Sequence, residues 1–161
     1  MEKRSIVLFL CFIVMAMPMV QDVDLGPKAV EKWFTKLPHA EQKVTKFHFY
    51  FHDILRGKNP TAVQIAQSNT TAKSLTLFRF VAMMDDPLTV GPEPNSTIVG
   101  RAQGIYGSVD KKEGALLMNL NFVFTSGKLN GSILSVLGRN HVFNEYREMP
   151  IVSNSGVFRL A

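Results

Sequence analysis

An all-β domain, barrel or sandwich, is the fold class this sequence predicts, and three observations carry it. Apolar residues recur with a period of two through most of the chain, as in Phe47–Leu55 and Ala115–Thr125. Clusters of Gly, Pro, Asn, Asp and Ser cut these runs into short pieces at regular spacing. No helix-length pattern with a period of 3.6 is evident after the first twenty residues. With 161 residues, 46% hydrophobic and 19% charged, the chain is one domain's worth and can bury a core.

The elements follow in order. Glu2, Lys3 and Arg4 precede an apolar run from Ile6 to Met17, which Pro18 breaks. That run is shorter than the roughly 20 residues of a membrane span, so residues 1–20 read as a secretory signal peptide cut between Ala16 and Gln21. A short hydrophobic anchor is the competing reading. Residues 21–43 read as an N-terminal arm, with Trp33 and Phe34 available to dock on the domain. Phe47–Leu55 alternates as a strand, ended by Arg56-Gly57-Lys58-Asn59-Pro60. Thr61–Gln67 is a short strand and Ser68–Ser74 a loop. Leu75–Met84 reads as a long strand closed by Asp85-Asp86-Pro87, before the loop Gly91–Asn95. Val99–Val109 is a strand whose Gly100, Gly104 and Gly107 mark bends of the kind that curl a sheet. Asp110–Gly114 turns into Ala115–Thr125, which lines one face with Leu116, Met118, Leu120, Phe122 and Phe124. Ser126–Lys128 turns again, and Asn130–Leu137 is the next strand.

The composition excludes several classes of function. The single Cys11 lies in the leader, so the mature chain has no disulfide, thiolate metal site or catalytic cysteine. The 18 Lys and Arg against 13 Asp and Glu give a net charge of +5 but form no basic run. A nucleic-acid partner is therefore not expected, while a polyanionic wall matrix suits the charge equally well. Sequons at Asn69, Asn95 and Asn130, behind a signal peptide, predict glycosylated surface loops; Asn59 is disqualified by Pro60.

Few side chains stand out chemically. Asp53 shares a face with Phe47, Phe49 and Phe51 by alternation, which would desolvate its carboxyl and raise its pKa toward that of a general acid. Equally, it is a strand-end aspartate already in solvent. His48 and His52 would lie about 13 Å apart along a strand at ~3.3 Å per residue, too far to share one metal, and read as an outward face. Asp85 and Asp86, being adjacent, point to opposite faces of any strand and read better as a turn. Arg147, taken alone, is a surface arginine. No P-loop, G-x-S-x-G, dinucleotide fingerprint or His-rich cluster is present, so no cofactor and no metal are expected.

Five ordered blocks nevertheless carry a resemblance: FHFYFHDILRGKNP (Phe47–Pro60), MMDDPLTVGPEP (Met83–Pro94), VGRAQGIY (Val99–Tyr106), GKLNGSILSVLGRN (Gly127–Asn140) and REMPIV (Arg147–Val152). Residues 44–161 thereby resemble the plant dirigent proteins, in the branch without a disulfide. The resemblance implies an eight-stranded antiparallel β-barrel of the allene-oxide-cyclase-like type. It also implies secretion to the apoplast, no cofactor and a homo-oligomer, a trimer or else a dimer, with no membrane attachment once the signal is cut. By the same resemblance Asp53 matches the pocket acid, Arg147 the pocket arginine and Tyr106 a pocket tyrosine, whereas a second acid of the lignan-forming members falls at Asn140. Family members continue past the position of Ala161, so the barrel is expected to lack its closing strands, which would uncover the Phe47, Phe49 and Phe51 face and favour aggregation.

Three functions stay open on these grounds. One is stereoselective guidance of phenoxy-radical coupling, for example of two coniferyl alcohol radicals to an optically active lignan. The radicals would come from an external laccase or peroxidase, since nothing here removes an electron from a phenol. Another is a pterocarpan-synthase-like dehydration of an isoflavanol through a quinone methide. A third is an inactive, truncated wall or defence protein.

Overall fold

A computed structural model describes residues 26–39, 41 and 44–159. The leader and its cleavage site lie outside the described residues. Helix α1 (Pro27–Lys36) comes first. The strands are β1 (Tyr50–Phe51), β2 (Ala62–Ala66), β3 (Val81–Thr89), β4 (Ile98–Ser108), β5 (Ala115–Phe124), β6 (Ile133–His141) and β7 (Ile151–Ser155). They form one antiparallel sheet in the order β1-β3-β4-β5-β6-β7, with β2 pairing β3 beside β1. The expected barrel is therefore a curled, open one: among the described residues β7 and the β1/β2 side are not paired with each other.

Even-numbered residues of β3 to β6 face the concave side. The register sets Met84, Gly104, Leu120 and Val136 in one row across the sheet, and Asp86, Ala102, Phe122 and Leu134 in the next. Alternation does the work of the core: Ala82, Met84, Leu88, Leu120 and Val136 are buried, while outward Met83, Leu117 and Leu137 are 43–55% exposed. Gly104 shows why β4 carries small residues inside. A Cβ there would stand 2.2 Å from the Asn119 carbonyl oxygen and 2.6 Å from the Leu120 Cα. Its absence lets β5 lean over β4, which gives the sheet its coil.

Aromatic rings cover one end of the concave face. Phe47 packs edge-on against Phe158, with centroids 5.3 Å apart, and lies 5.6 Å from Phe124. Phe49 packs on Phe122 at 5.2 Å. Two of the three phenylalanines expected to be uncovered are thus packed by the chain's own rings, and only Phe51 stays 39% exposed.

Four sequence readings need correction. Residues 27–36 are helical: Pro27 opens the helix at its first position and the Gly26 carbonyl accepts the Val30 N–H at 3.1 Å. The helix is short and buries no residue, although Ala29, Val30, Trp33 and Phe34 fall on one face at helical spacing, a period the sequence reading passed over. Trp33 does reach the domain, its ring 4.9 Å from the Arg159 guanidinium, but Phe34 is 65% exposed. The Phe47–Leu55 strand shrinks to Tyr50–Phe51. The strand read as Leu75–Met84 is instead Val81–Thr89, running straight through Asp85-Asp86-Pro87, and residues 75–80 turn with positive φ at Leu77 (54°) and Arg79 (78°). Finally, Ile133–His141 replaces Asn130–Leu137, because residues 127–132 make a tight turn first.

Gly104→Ala should cost roughly 3 kcal/mol, since backbone atoms rather than a flexible side chain block the new methyl. Urea denaturation followed by tryptophan and circular dichroism signals measures it; Gly138→Ala, whose methyl would meet only Pro150 and Met149 side-chain atoms at 3.1–3.4 Å, serves as the comparison.

Candidate functional site

The concave face opens at the Tyr106–Ser108 end of β4 into a cleft of about 670 Å³. Leu75, Leu77 and Phe80 from the turned segment form one lip, and Val142 and Phe143 from the β6–β7 connection form the other. Leu75 and Phe143 are almost wholly exposed. An apolar mouth of this kind suits a flat aromatic guest.

Asp53 and Tyr106 meet at the cleft. The Tyr106 hydroxyl donates to Asp53 Oδ2 at 3.3 Å, although the two residues are 53 positions apart in sequence. Tyr106 is 3% exposed and sits on the inner face of β4, paired with Ala82 and Met118. Partial loss of water raises the Asp53 carboxyl above the usual carboxylate value, and the Tyr106 hydrogen bond pulls it part of the way back. Burial, together with the Asp53 charge, holds the Tyr106 phenol well above its ordinary pKa, so it acts as a fixed hydrogen-bond donor.

Arg147 stands apart from this pair. It is exposed, on the connection between β6 and β7, with Nη1 3.5 Å from Asn140 Oδ1. Asn140 itself is 8% exposed and donates from Nδ2 to Met118 Sδ at 3.0 Å. Met118 is in turn the cross-strand neighbour of Tyr106, and the hydrogen-bonded chain from Arg147 ends at its sulfur. His48 and His52 share no partner: the His48 ring packs on Tyr50, and His52 Nε2 lies 2.7 Å from Thr89 Oγ1. Among the described residues no cluster of His, Cys, Asp or Glu could hold a metal ion.

Sequence reasoning missed Asp86. Read as a turn, it lies instead in the middle of β3, on the concave side, with no exposed surface and with neither carboxylate oxygen in a hydrogen bond. Asp85 points outward and pairs with Arg101 Nε at 2.5 Å. Burial pushes the Asp86 pKa up to about 6; the Thr61 hydroxyl opposes this, and the Asp53 charge adds to it. That hydroxyl is already engaged, donating to the His52 carbonyl at 3.3 Å and accepting the Ile54 N–H at 3.1 Å. The signal was present in the sequence: Ala82, Met84 and Leu88 keep one alternating set through position 86.

The site is therefore a curled antiparallel sheet with a largely apolar cleft and a carboxyl bonded to a tyrosine hydroxyl at its mouth. Residues 44–161 match the family model described as Dirigent-like protein. Dirigent protein 23 of Arabidopsis thaliana is 46% identical over 153 residues, covering 94% of this chain and 80% of that protein. Pterocarpan synthase 1 of Glycine max is 49% identical over 128 residues, 79% of this chain and 69% of the relative. The solved pterocarpan synthase dirigent protein PsPTS1 superposes with a TM-score of 0.68 at 47% identity, over 75% of this chain and 79% of its own. The chain belongs to the dirigent family.

The buried carboxyl of Asp86 makes stability depend on pH. Below about pH 4 both folded and unfolded chains hold its proton. As pH rises toward 6 the unfolded chain releases it while the folded chain keeps it, so stability falls by ~3 kcal/mol at 1.36 kcal/mol per pKa unit. Asp86→Asn should lose this fall between pH 4 and 7, read as the difference between wild-type and variant urea midpoints across that range.

Proposed function

We propose that this chain handles a phenolic substrate at the quinone-methide stage, as a pterocarpan-synthase-like dehydratase of an isoflavanol, with Asp53 as the acid. The observation that carries it is the single carboxyl in the cleft, bonded to Tyr106, with neutral Asn140 at the position of a second acid. One acid suits one dehydration and one ring closure, whereas closing two rings at once calls for two. Solved pterocarpan synthases at 47% and 46% identity support the same reading.

The proton balance is as follows. Asp53 gives its proton to the benzylic hydroxyl as the C–O bond breaks, and water leaves. The phenol conjugated with that carbon loses its proton and becomes the carbonyl of a quinone methide. A second phenolic hydroxyl then adds to the same carbon and releases its proton, while the carbonyl oxygen takes one up and is a phenol again. The remaining proton returns to Asp53, so the net change is loss of water. Tyr106, always protonated, orients Asp53, and the apolar lips keep bulk water from competing for the cation-like carbon. Arg147 supplies a positive charge beside the Asn140 amide.

Guidance of phenoxy-radical coupling, with a laccase or peroxidase as the radical source, is the second reading, favoured by the likeness to Arabidopsis dirigent proteins. The same cleft would then fix which faces of two radicals meet. Turnover of an isoflavanol with no oxidase present supports the dehydratase; stereoselective coupling only when an oxidase is added supports the guide. Under the first reading Asp53→Asn should lower turnover 100- to 10,000-fold, the range typical of a lost general acid, with an unchanged circular dichroism spectrum. Unaltered turnover would leave Asp53 a strand-end residue.

Export to the apoplast is part of the proposal. Asn69 and Asn95 are exposed, and Asn130 is half-buried in the 127–132 turn. Among the described residues no helix is long and apolar enough to cross a membrane. A homo-oligomer is also proposed, the exposed Val63, Ile65 and Met83 on the convex face being its support. Expression in plant cells should give a product shortened at the N-terminus and carrying N-glycan on at least one of Asn69, Asn95 and Asn130, read by peptide mass before and after deglycosylation. A full-length product without glycan would defeat it.

A further inference from the structure

β6 ends in a tight turn. The Asn144 N–H donates to the His141 carbonyl at 3.0 Å, which puts Phe143 third in the turn His141–Asn144. This turn is laced to the neighbouring hairpin: the Val142 N–H donates to the Gly114 carbonyl at 3.1 Å, one step beyond the paired residues Ala115 and His141. Phe143 then leans on Gly114. A Cβ at position 114 would stand 2.3 Å from Phe143 Cε2, 2.8 Å from Phe143 Cδ2 and 3.1 Å from Val142 Cγ2. Gly114 is not among the glycines with positive φ, so what it supplies is space for the ring edge and not an unusual backbone conformation.

The same ring is 88% exposed and lines the cleft that also holds Asp53. Aromatic surface kept in water at a fixed place is unfavourable until something covers it. Its position relative to the opposite lip is fixed as well, because both lips hang on the turn between β4 and β5. The Thr76 hydroxyl, within the first lip, donates to the Asp110 carbonyl at 2.5 Å, and Arg139 of β6 reaches the Asp110 carboxylate at 2.5 Å. That carboxylate also accepts the N–H groups of Lys112 and Glu113, which closes the turn on itself.

We propose that Phe143 is the stacking platform for an aryl ring of the guest, and that Gly114 is a positioning residue that aims this platform without touching the guest. Packing between two rings is directional, offset or edge-to-face. A platform fixed at one lip therefore sets the tilt of the guest's ring, and with it which carbon comes to Asp53. The part played in guest binding rests on the reading of the cleft as the site of a phenolic substrate, whereas the seat of the ring on Gly114 does not.

The probe is an isoflavan, which is an isoflavanol without the benzylic hydroxyl and so binds but cannot lose water. In calorimetric titration of the whole chain, Phe143→Leu, apolar but without a ring, should bind it about tenfold more weakly than wild type, and Phe143→Tyr within about twofold of wild type. Gly114→Ala should weaken binding to the same degree with an unchanged urea midpoint, because the atoms it displaces belong to an exposed ring that can swing away. The double variant Gly114→Ala/Phe143→Leu should bind no more weakly than either single one. Without ligand, the Gly114 Hα resonances of wild type should be displaced by the ring current of Phe143 and return to ordinary positions in Phe143→Leu. Equal affinity of wild type and Phe143→Leu overturns the platform. Additive losses in the double variant, or Gly114 Hα resonances unmoved by Phe143→Leu, overturn the role of Gly114; the resonances decide alone should Gly114→Ala not fold. Absence of isoflavan binding by wild type overturns the platform together with the phenolic reading of the cleft. Weaker binding in Phe143→Leu with no turnover of an isoflavanol keeps the platform and removes the dehydratase reading, and turnover with equal affinities does the reverse.

Discussion

β3 pairs along both edges, with β4 over its whole length on one side and with β1 and then β2 on the other. Because successive side chains alternate between faces, a slip of one residue in this pairing would exchange the two sides of the strand. Asp86 would then face water and Asp85 the core, and Met83 would replace Met84 inside. The pairing is held against such a slip by burial of Ala82, Met84 and Leu88 and by the outward Asp85–Arg101 ion pair. The same register delivers Asp53 to its place, since the chain between β1 and β2 hangs from the Pro87 and Ile54 carbonyls, which accept the N–H groups of His52 and Thr61. The chemistry at the cleft is thus a consequence of where one strand sits relative to three others.

Charge is sorted by the sheet as apolarity is. Paired carboxylates lie on the convex side and in the turns: Asp85 with Arg101, and Asp110 with Arg139 at 2.5 Å while accepting the N–H groups of Lys112 and Glu113. These contacts draw both acids below their ordinary pKa. The carboxyls on the concave side, Asp53 and Asp86, are raised instead, because withdrawal of water outweighs the groups that lower them, Tyr106 for Asp53 and Thr61 and Arg101 for Asp86. One protein thereby keeps two populations of aspartate, separated only by a backbone sheet.

How much of this was legible in the sequence depends on what holds each element. β4, β5 and β2 were placed to within a residue or two, since alternation and flanking turns agree there. The Phe47–Leu55 run alternates as well as any, but its ladder is confined to Tyr50–Phe51: β3 ends opposite Tyr50, so Phe47 and Phe49 pack on rings instead, and past Phe51 the same edge of β3 passes to β2. Asp85-Asp86-Pro87 has turn composition and strand conformation: burial of alternate neighbours outweighs local preference. Asp53 and Tyr106 could be singled out by pattern and resemblance, but their contact spans 53 residues and needed the folded register to be seen. Helix α1 carries an apolar stripe of Ala29, Val30, Trp33 and Phe34 at helical spacing, but over ten residues and with none of them buried it passes for an arm in the sequence.

The two sides of the cleft are built on different backbone. Its phenol is tied to a ladder of hydrogen bonds shared by several strands, while its acid follows β1 by two residues, on chain held to β3 by the His52 N–H on the Pro87 carbonyl. Its lip, from Leu75 to Phe80, passes through left-handed conformations at Leu77 and Arg79 and is anchored to β4 at its end, where the Arg79 N–H donates to the Ser108 carbonyl and the Phe80 carbonyl accepts the Ser108 N–H. Exposed Leu75 and Leu77 stand ahead of that anchor, so side-chain exchanges at these two positions reshape the cleft wall while the strands keep their register.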